Sequence, residues 1–186
     1  LIVGAGAGND VAAALRSGGQ GVRVDAVEID PAIVEIGRRH HPENPYDDPR
    51  VHVHVADARQ FMKRSSERYD LVVFGLVDSH TLLSGMTSVR LDNFVYTLES
   101  FAEARRLLRD GGCVAVSFST SPTSHIGLRL FDMLRTVFPE APPRVFRIGS
   151  DSGVVYVAGL SGARSPSLPE SVASAEVTSL YENRAS

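Results

Sequence analysis

The chain has 186 residues, of which 43% are hydrophobic and 22% charged, a size and balance that suit one globular α/β domain with a sizeable core. Its net charge of −3, from 19 basic and 22 acidic residues, offers no basic excess to collect phosphates, so nucleic acid is not an expected partner. A single cysteine, Cys113, excludes an intrachain disulfide and reads as packing in a reducing compartment; the longest strongly apolar run, residues 71–77, falls far short of a membrane span.

Leu1, Ile2 and Val3 read as a buried strand. Gly4-Ala5-Gly6-Ala7-Gly8 follows, and from Asp10 an alanine-rich helical run continues until Ser17-Gly18-Gly19. Strand, glycine turn and helix make a nucleotide site in α/β sheets, because the backbone can approach a ligand closely and the helix start offers free N–H groups. The chain begins inside this strand and without Met, which reads as a fragment of a longer protein.

Val22, Val24, Ala26 and Ile29 mark a second strand that ends in Glu28-Ile29-Asp30. Pro31 at a first helical position, with Asp30 as its cap, starts a helix carried by Ile33, Val34 and Ile36. The basic cluster Arg38-Arg39-His40-His41 suits the negative end of that helix. Pro42, Pro45 and Pro49 make the next stretch a loop. Val51, Val53 and Val55 alternate with His52 and His54 in a third strand, expected at the sheet edge, and a helix follows Asp57 through Phe61 and Met62. Residues 69–76 are near-continuously apolar and read as a central strand.

Residues 77–93 lack clear periodicity and follow the carboxyl end of that strand, where open α/β sheets bind substrates. Phe94, Leu98, Phe101 and Leu108 share one helical face, and Asp110-Gly111-Gly112 reads as its stop. A strand over 113–118, an amphipathic helix over 126–138 and an antiparallel hairpin of 144–148 with 154–160 complete the pattern. The expected fold is a Rossmann-like, doubly wound α/β sheet of seven strands over residues 1–160, mostly parallel with one antiparallel strand near an edge. Residues 161–186, poor in large apolar side chains, read as a flexible tail.

The glycine pattern departs from the strict dinucleotide fingerprint, since Asn9 stands at the sixth position and the third glycine comes one residue early, at Gly8. Glu28, twenty residues after Gly8, ends strand two, where a carboxylate can accept both ribose hydroxyls. Asp57 ends strand three, where it can accept from an adenine amino group. Two acids at successive strand ends suit S-adenosylmethionine and its relatives better than NAD; the alternative is that both acids only cap helices.

Further motifs follow at matching spacing: Val27-Glu28-Ile29-Asp30-Pro31, Asp47-Asp48-Pro49-Arg50-Val51, Ala56-Asp57-Ala58 and Tyr69-Asp70-Leu71-Val72-Val73. With the glycine loop they resemble the spermidine/spermine synthase family, which has the class I methyltransferase fold; the Asp-Asp-Pro-Arg-Val piece is the most family-specific. The resemblance implies that Gly4, Ala5, Gly6 and Gly8 line an S-adenosylmethionine or decarboxylated S-adenosylmethionine cofactor, that Glu28 and Ile29 hold its ribose end, and that Asp57 and Ala58 contact the adenine. It also implies a polyamine-like substrate, a homodimer and a cytoplasmic site, at the cytoplasmic face of a membrane if a preceding region is membrane-embedded. No membrane contact is expected in these residues themselves.

This sequence departs from the family at both amine-handling acids. Ala7 stands where the family carries an Asp in the glycine loop, and Gly75 where it carries the first Asp after strand four. The second acid of that later motif aligns with Asp78, in Val77-Asp78-Ser79-His80-Thr81. Asp78 is the expected base or amine anchor and His80 the second, with a pKa nearer neutrality. Asp92, Tyr96 and Glu99 are further polar groups near the expected cleft mouth. His52 and His54 share a strand face without a third ligand placed nearby, so no metal is expected. The activity implied is aminopropyl or methyl transfer to a small nucleophile such as an amine; the alternative is a nucleoside-binding domain without catalysis.

Overall fold

The computed structural model describes residues 1–75, 95–119, 124–141, 143–148, 153–160 and 173–182. Its first part is strand followed by helix three times over: β1 (Ile2–Val3), α1 (Asn9–Ser17), β2 (Val24–Glu28), α2 (Pro31–His40), β3 (Val51–Val55) and α3 (Ala58–Arg64). A 3-10 turn at Pro45–Asp47 interrupts the proline-rich loop before β3. Then come β4 (Tyr69–Phe74), α4 (Leu98–Arg106), β5 (Leu108–Ser119), α5 (His125–Val137), β6 (Arg144–Arg147), β7 (Gly153–Gly159) and a helical turn at Ser179–Glu182.

The seven strands form one sheet in the order β3-β2-β1-β4-β5-β7-β6, in which β7 runs antiparallel to both of its neighbours. This is the α/β architecture expected of the sequence. β1 to β5 pair in parallel and are covered on both faces. On one face Val3, Val27, Val72 and Phe74 pack with Met62, Phe101 and Phe131; on the other Ile2, Val24 and Ala26 pack with Val11, Val34 and Tyr46. Adjacent residues Ile2 and Val3 enter opposite cores, as the two-residue period of a strand requires.

Local chemistry sets most of the boundaries. Asp30 accepts from the Ala32 N–H at 2.8 Å with Pro31 inside the first turn of α2, and Thr97 and Ser124 cap α4 and α5 in the same way. The Asp48-Pro49-Arg50 segment is a clip. Arg50 donates to both carboxylate oxygens of Asp48, at 2.9 and 2.7 Å, and to Gly19 O at 2.9 Å, which ties the amino end of β3 to the turn after α1.

One expectation needs correction. Asp110-Gly111-Gly112 does not stop a helix that includes Leu108: α4 ends at Arg106 and these residues lie inside β5. Gly111 takes φ 75° and the pairing with β4 shifts register between Tyr69 and Leu71, so the glycines form a bulge. Of the stretch 161–186 read as a flexible tail, residues 161–172 and 183–186 lie outside the described residues, and 173–182 packs against the sheet. Val177 N donates to Val145 O and Arg147 N to Ala175 O, each at 2.8 Å, and Arg144 pairs with both carboxylate oxygens of Glu176. Tyr181, 1% exposed, stacks on Phe131 with centroids 5.2 Å apart. One aromatic in a polar segment anchors it. Among the described residues no helix is long and apolar enough to cross a membrane.

Candidate functional site

β1 lies between β2 and β4, and the chain runs outward from it in both directions, so the sheet's topological switch point is the crevice at the carboxyl ends of β1 and β4. The glycine loop occupies that end. Gly6 takes φ 56°, and a Cβ built on it meets nothing within 4 Å, so its outer side is open to a ligand. Gly8 has the opposite reason to be glycine. A Cβ there would lie 2.7 Å from Pro45 Cγ, because the 3-10 turn packs beneath it.

Glu28, at the end of β2 and only 7% exposed, organises this loop. Its Oε2 accepts from Gly6 N at 2.8 Å, and its Oε1 accepts from Ile29 N at 2.8 Å and Asp30 N at 3.0 Å. A carboxylate has about four lone-pair positions, so one remains, on Oε2. The other side of the Gly6 peptide is held by Tyr46, whose hydroxyl donates to Gly6 O at 2.6 Å. Burial, with Glu28 nearby, raises the Tyr46 pKa above the ordinary phenol value and keeps that donor protonated. Gly37 of α2 makes room, since a Cβ there would stand 2.5 Å from Ala7 O and 2.7 Å from the Tyr46 ring. Neither Tyr46 nor Gly37 is evident from the sequence; the only hint was an aromatic beside Pro45.

Ile29, next along, is 49% exposed and offers an apolar ledge beside the buried carboxylate. Asp57 caps α3, its Oδ1 accepting from Gln60 N at 2.9 Å, while its other oxygen accepts no hydrogen bond among the described residues. It is exposed, and Ala58 beside it is half-buried. The carboxyl ends of β3, β2 and β1 thus carry Asp57, Glu28 with Ile29, and the glycine loop in a row.

At the end of β4, Gly75 N donates to Val3 O at 3.1 Å and Gly75 O accepts from the Tyr96 hydroxyl at 3.2 Å. Tyr96 also meets Phe118 of β5 edge to face, with centroids 5.3 Å apart. A groove of about 460 Å³ runs on from it, lined by Phe118, His125, Ile126, Arg129 and Met133. A larger cleft of about 690 Å³ beside Leu1, Val24 and Tyr69 lies at the amino ends of the strands, away from where this sheet type binds ligands.

Asp78, His80 and Asp92 lie outside the described residues. Tyr96 precedes the α4 cap, and Glu99 is exposed in the first turn, its pKa lowered by hydrogen bonds at the helix start. His54 contacts Asp25 at 2.7 Å and packs on Phe61, with centroids 4.6 Å apart. Cys113 is half-buried, which raises its thiol pKa.

The family model for the spermine/spermidine synthase domain matches residues 1–162. The chain belongs to the spermine/spermidine synthase family. A polyamine aminopropyltransferase of Korarchaeum cryptofilum (strain OPF8) is 33% identical over 115 residues, 60% of this chain and 32% of that protein. Polyamine aminopropyltransferase 2 of Hyperthermus butylicus is 29% identical over 161 residues, 83% of this chain and 49% of that protein. The chain therefore spans half or less of the length of these relatives. Among solved structures, a spermidine synthase in complex with the transition-state analogue AdoDATO superposes with a TM-score of 0.68 at 19% identity, over 85% of this chain and 53% of that one. Human methyltransferase-like protein 13 in complex with SAH superposes with a TM-score of 0.65 at 19% identity, over 98% and 79%. At those identities the likeness is one of fold. Ala7 and Gly75, the two positions at which the resemblance implies an acid, both lie at the switch point.

Proposed function

We propose that this domain binds an adenosyl sulfonium donor along the carboxyl ends of β3, β2, β1 and β4 and transfers its aminopropyl group to a small amine. The observation that carries the reading is Glu28: a buried carboxylate at the end of β2, fixed by three backbone N–H groups and with one acceptor position left. That position takes one ribose hydroxyl; a second would have to displace the Gly6 N–H. Ile29 supplies an apolar ledge for the adenine, Asp57 an acceptor for its amino group, and the open side of Gly6 the close approach. Aminopropyl transfer, in preference to methyl transfer, is supported by the names of the curated relatives.

The sulfonium carries its own leaving group, so the protein has mainly to hold the acceptor nitrogen in line with the reactive carbon and to take its proton. Asp78 and His80 are the residues we assign to the acceptor, on their sequence position after β4. Equilibrium binding and turnover test the reading. Decarboxylated S-adenosylmethionine is expected to bind more tightly than S-adenosylmethionine, methylthioadenosine to bind, NAD to bind weakly, and putrescine to be consumed. Preference for S-adenosylmethionine moves the reaction to methyl transfer, and binding without turnover of any amine leaves a nucleoside-binding domain.

A further inference from the structure

One carboxylate at the switch point has no task in the site as described so far. Asp10 stands in the first turn of α1, yet it does not cap that helix. The cap position is Gly8, without a side-chain bond, and the Asp10 carboxylate accepts no hydrogen bond among the described residues. It turns instead to the end of β4. A Cβ built on Gly75 would lie 2.6 Å from Asp10 Oδ2 and 3.1 Å from Gly4 O, so the carboxylate occupies the space that the missing side chain at position 75 leaves. It is partly buried, and that burial raises its pKa above the ordinary carboxylate value, as for an anion lacking its counter-ion.

The row of groups along the sheet says what reaches it. A nucleoside with adenine at Asp57 and ribose at Glu28 extends its third arm across β1 towards β4, and so towards Asp10. We propose that Asp10 binds the primary ammonium at the end of the donor's aminopropyl arm and thereby selects decarboxylated S-adenosylmethionine over S-adenosylmethionine. The carboxylate attracts the ammonium that both donors carry, and repels the carboxylate that only the second one adds. Gly75 leaves the space for this arrangement; a side chain at position 75 would exclude Asp10 from it. This inference rests on the adenosyl-site reading above.

Calorimetric binding to the Asp10→Asn variant of the full chain tests it. Affinity for decarboxylated S-adenosylmethionine is expected to fall roughly ten- to hundredfold, affinity for methylthioadenosine, which lacks the amine, to stay within twofold, and the preference over S-adenosylmethionine to shrink. Gly75→Ala, whose Cβ displaces the carboxylate while Asp10 remains, is expected to give the same selective loss. An equal fall for both ligands, no fall for either, or a loss confined to putrescine overturns the assignment while leaving the adenosyl site standing. Failure of the native chain to bind methylthioadenosine overturns that reading and this one together.

Discussion

Glu28 is the residue on which loop geometry and the proposed adenosyl site meet. Glu28→Ala removes the acceptor of three backbone N–H groups together with the proposed ribose partner, so adenosyl ligands are expected to bind at least ~1–3 kcal/mol more weakly, read by calorimetry. An unchanged affinity overturns the site. Asp48 has a different role. Its hydrogen bonds from Arg50 hold its carboxyl at about 2, below the ordinary 3.8. A carboxylate depressed in the folded state stabilises above its unfolded value and loses that contribution as pH falls towards the folded one. Asp48→Asn is therefore expected to lower stability at neutral pH, with the difference from the native chain closing between pH 4 and 2 in denaturant titrations. Glu28 was legible as the acid that ends β2 and Asp48 as part of a motif, but only the fold shows that the Gly6, Ile29 and Asp30 N–H groups fix the first and that the second, through Arg50, clips the opposite end of the sheet. Asp10 was legible only as a helix start, because its meeting with Gly75 joins residues far apart in the chain.

Among the elements, those bounded by their own chemistry were legible. Asp30-Pro31 opens α2, Thr97 and Ser124 cap their helices, and alternating valines mark β3. Where a boundary depends on a partner strand it was not: Asp110-Gly111-Gly112 has the composition of a helix stop but follows β4 as a bulge. The 3-10 turn at Pro45–Asp47 is the clearest gap, since three residues carry no period, yet its Tyr46 buttresses the glycine loop from below. Tyr46→Phe keeps the packing and removes only the donor to Gly6 O. It is expected to cost about 0.5–1.5 kcal/mol of stability in urea titrations and to weaken adenosyl-ligand binding by a similar amount, because the loop is then held on one side alone.

At the scale of the whole molecule, 173–182 completes the core that holds Phe131. Tyr181 stacks on Phe131, meets Tyr156 edge to face and shares a 3.2 Å hydroxyl contact with it. Composition hid this, because one buried aromatic among serines and alanines does not register as a hydrophobic run. Tyr181→Ala is expected to destabilise the domain by about 3–5 kcal/mol in thermal or denaturant unfolding. Its affinity for methylthioadenosine should be unchanged at temperatures where it stays folded, the tyrosine being remote from the carboxyl ends of β1 to β3. The same segment covers the outer side of β6, and among the described residues nothing pairs with the outer side of β3. A sheet with one open margin can join a second copy only once, and the pair then has no margin left. If 173–182 is removed, each copy gains a second open margin, and association by strand pairing can run on without closure into fibrils.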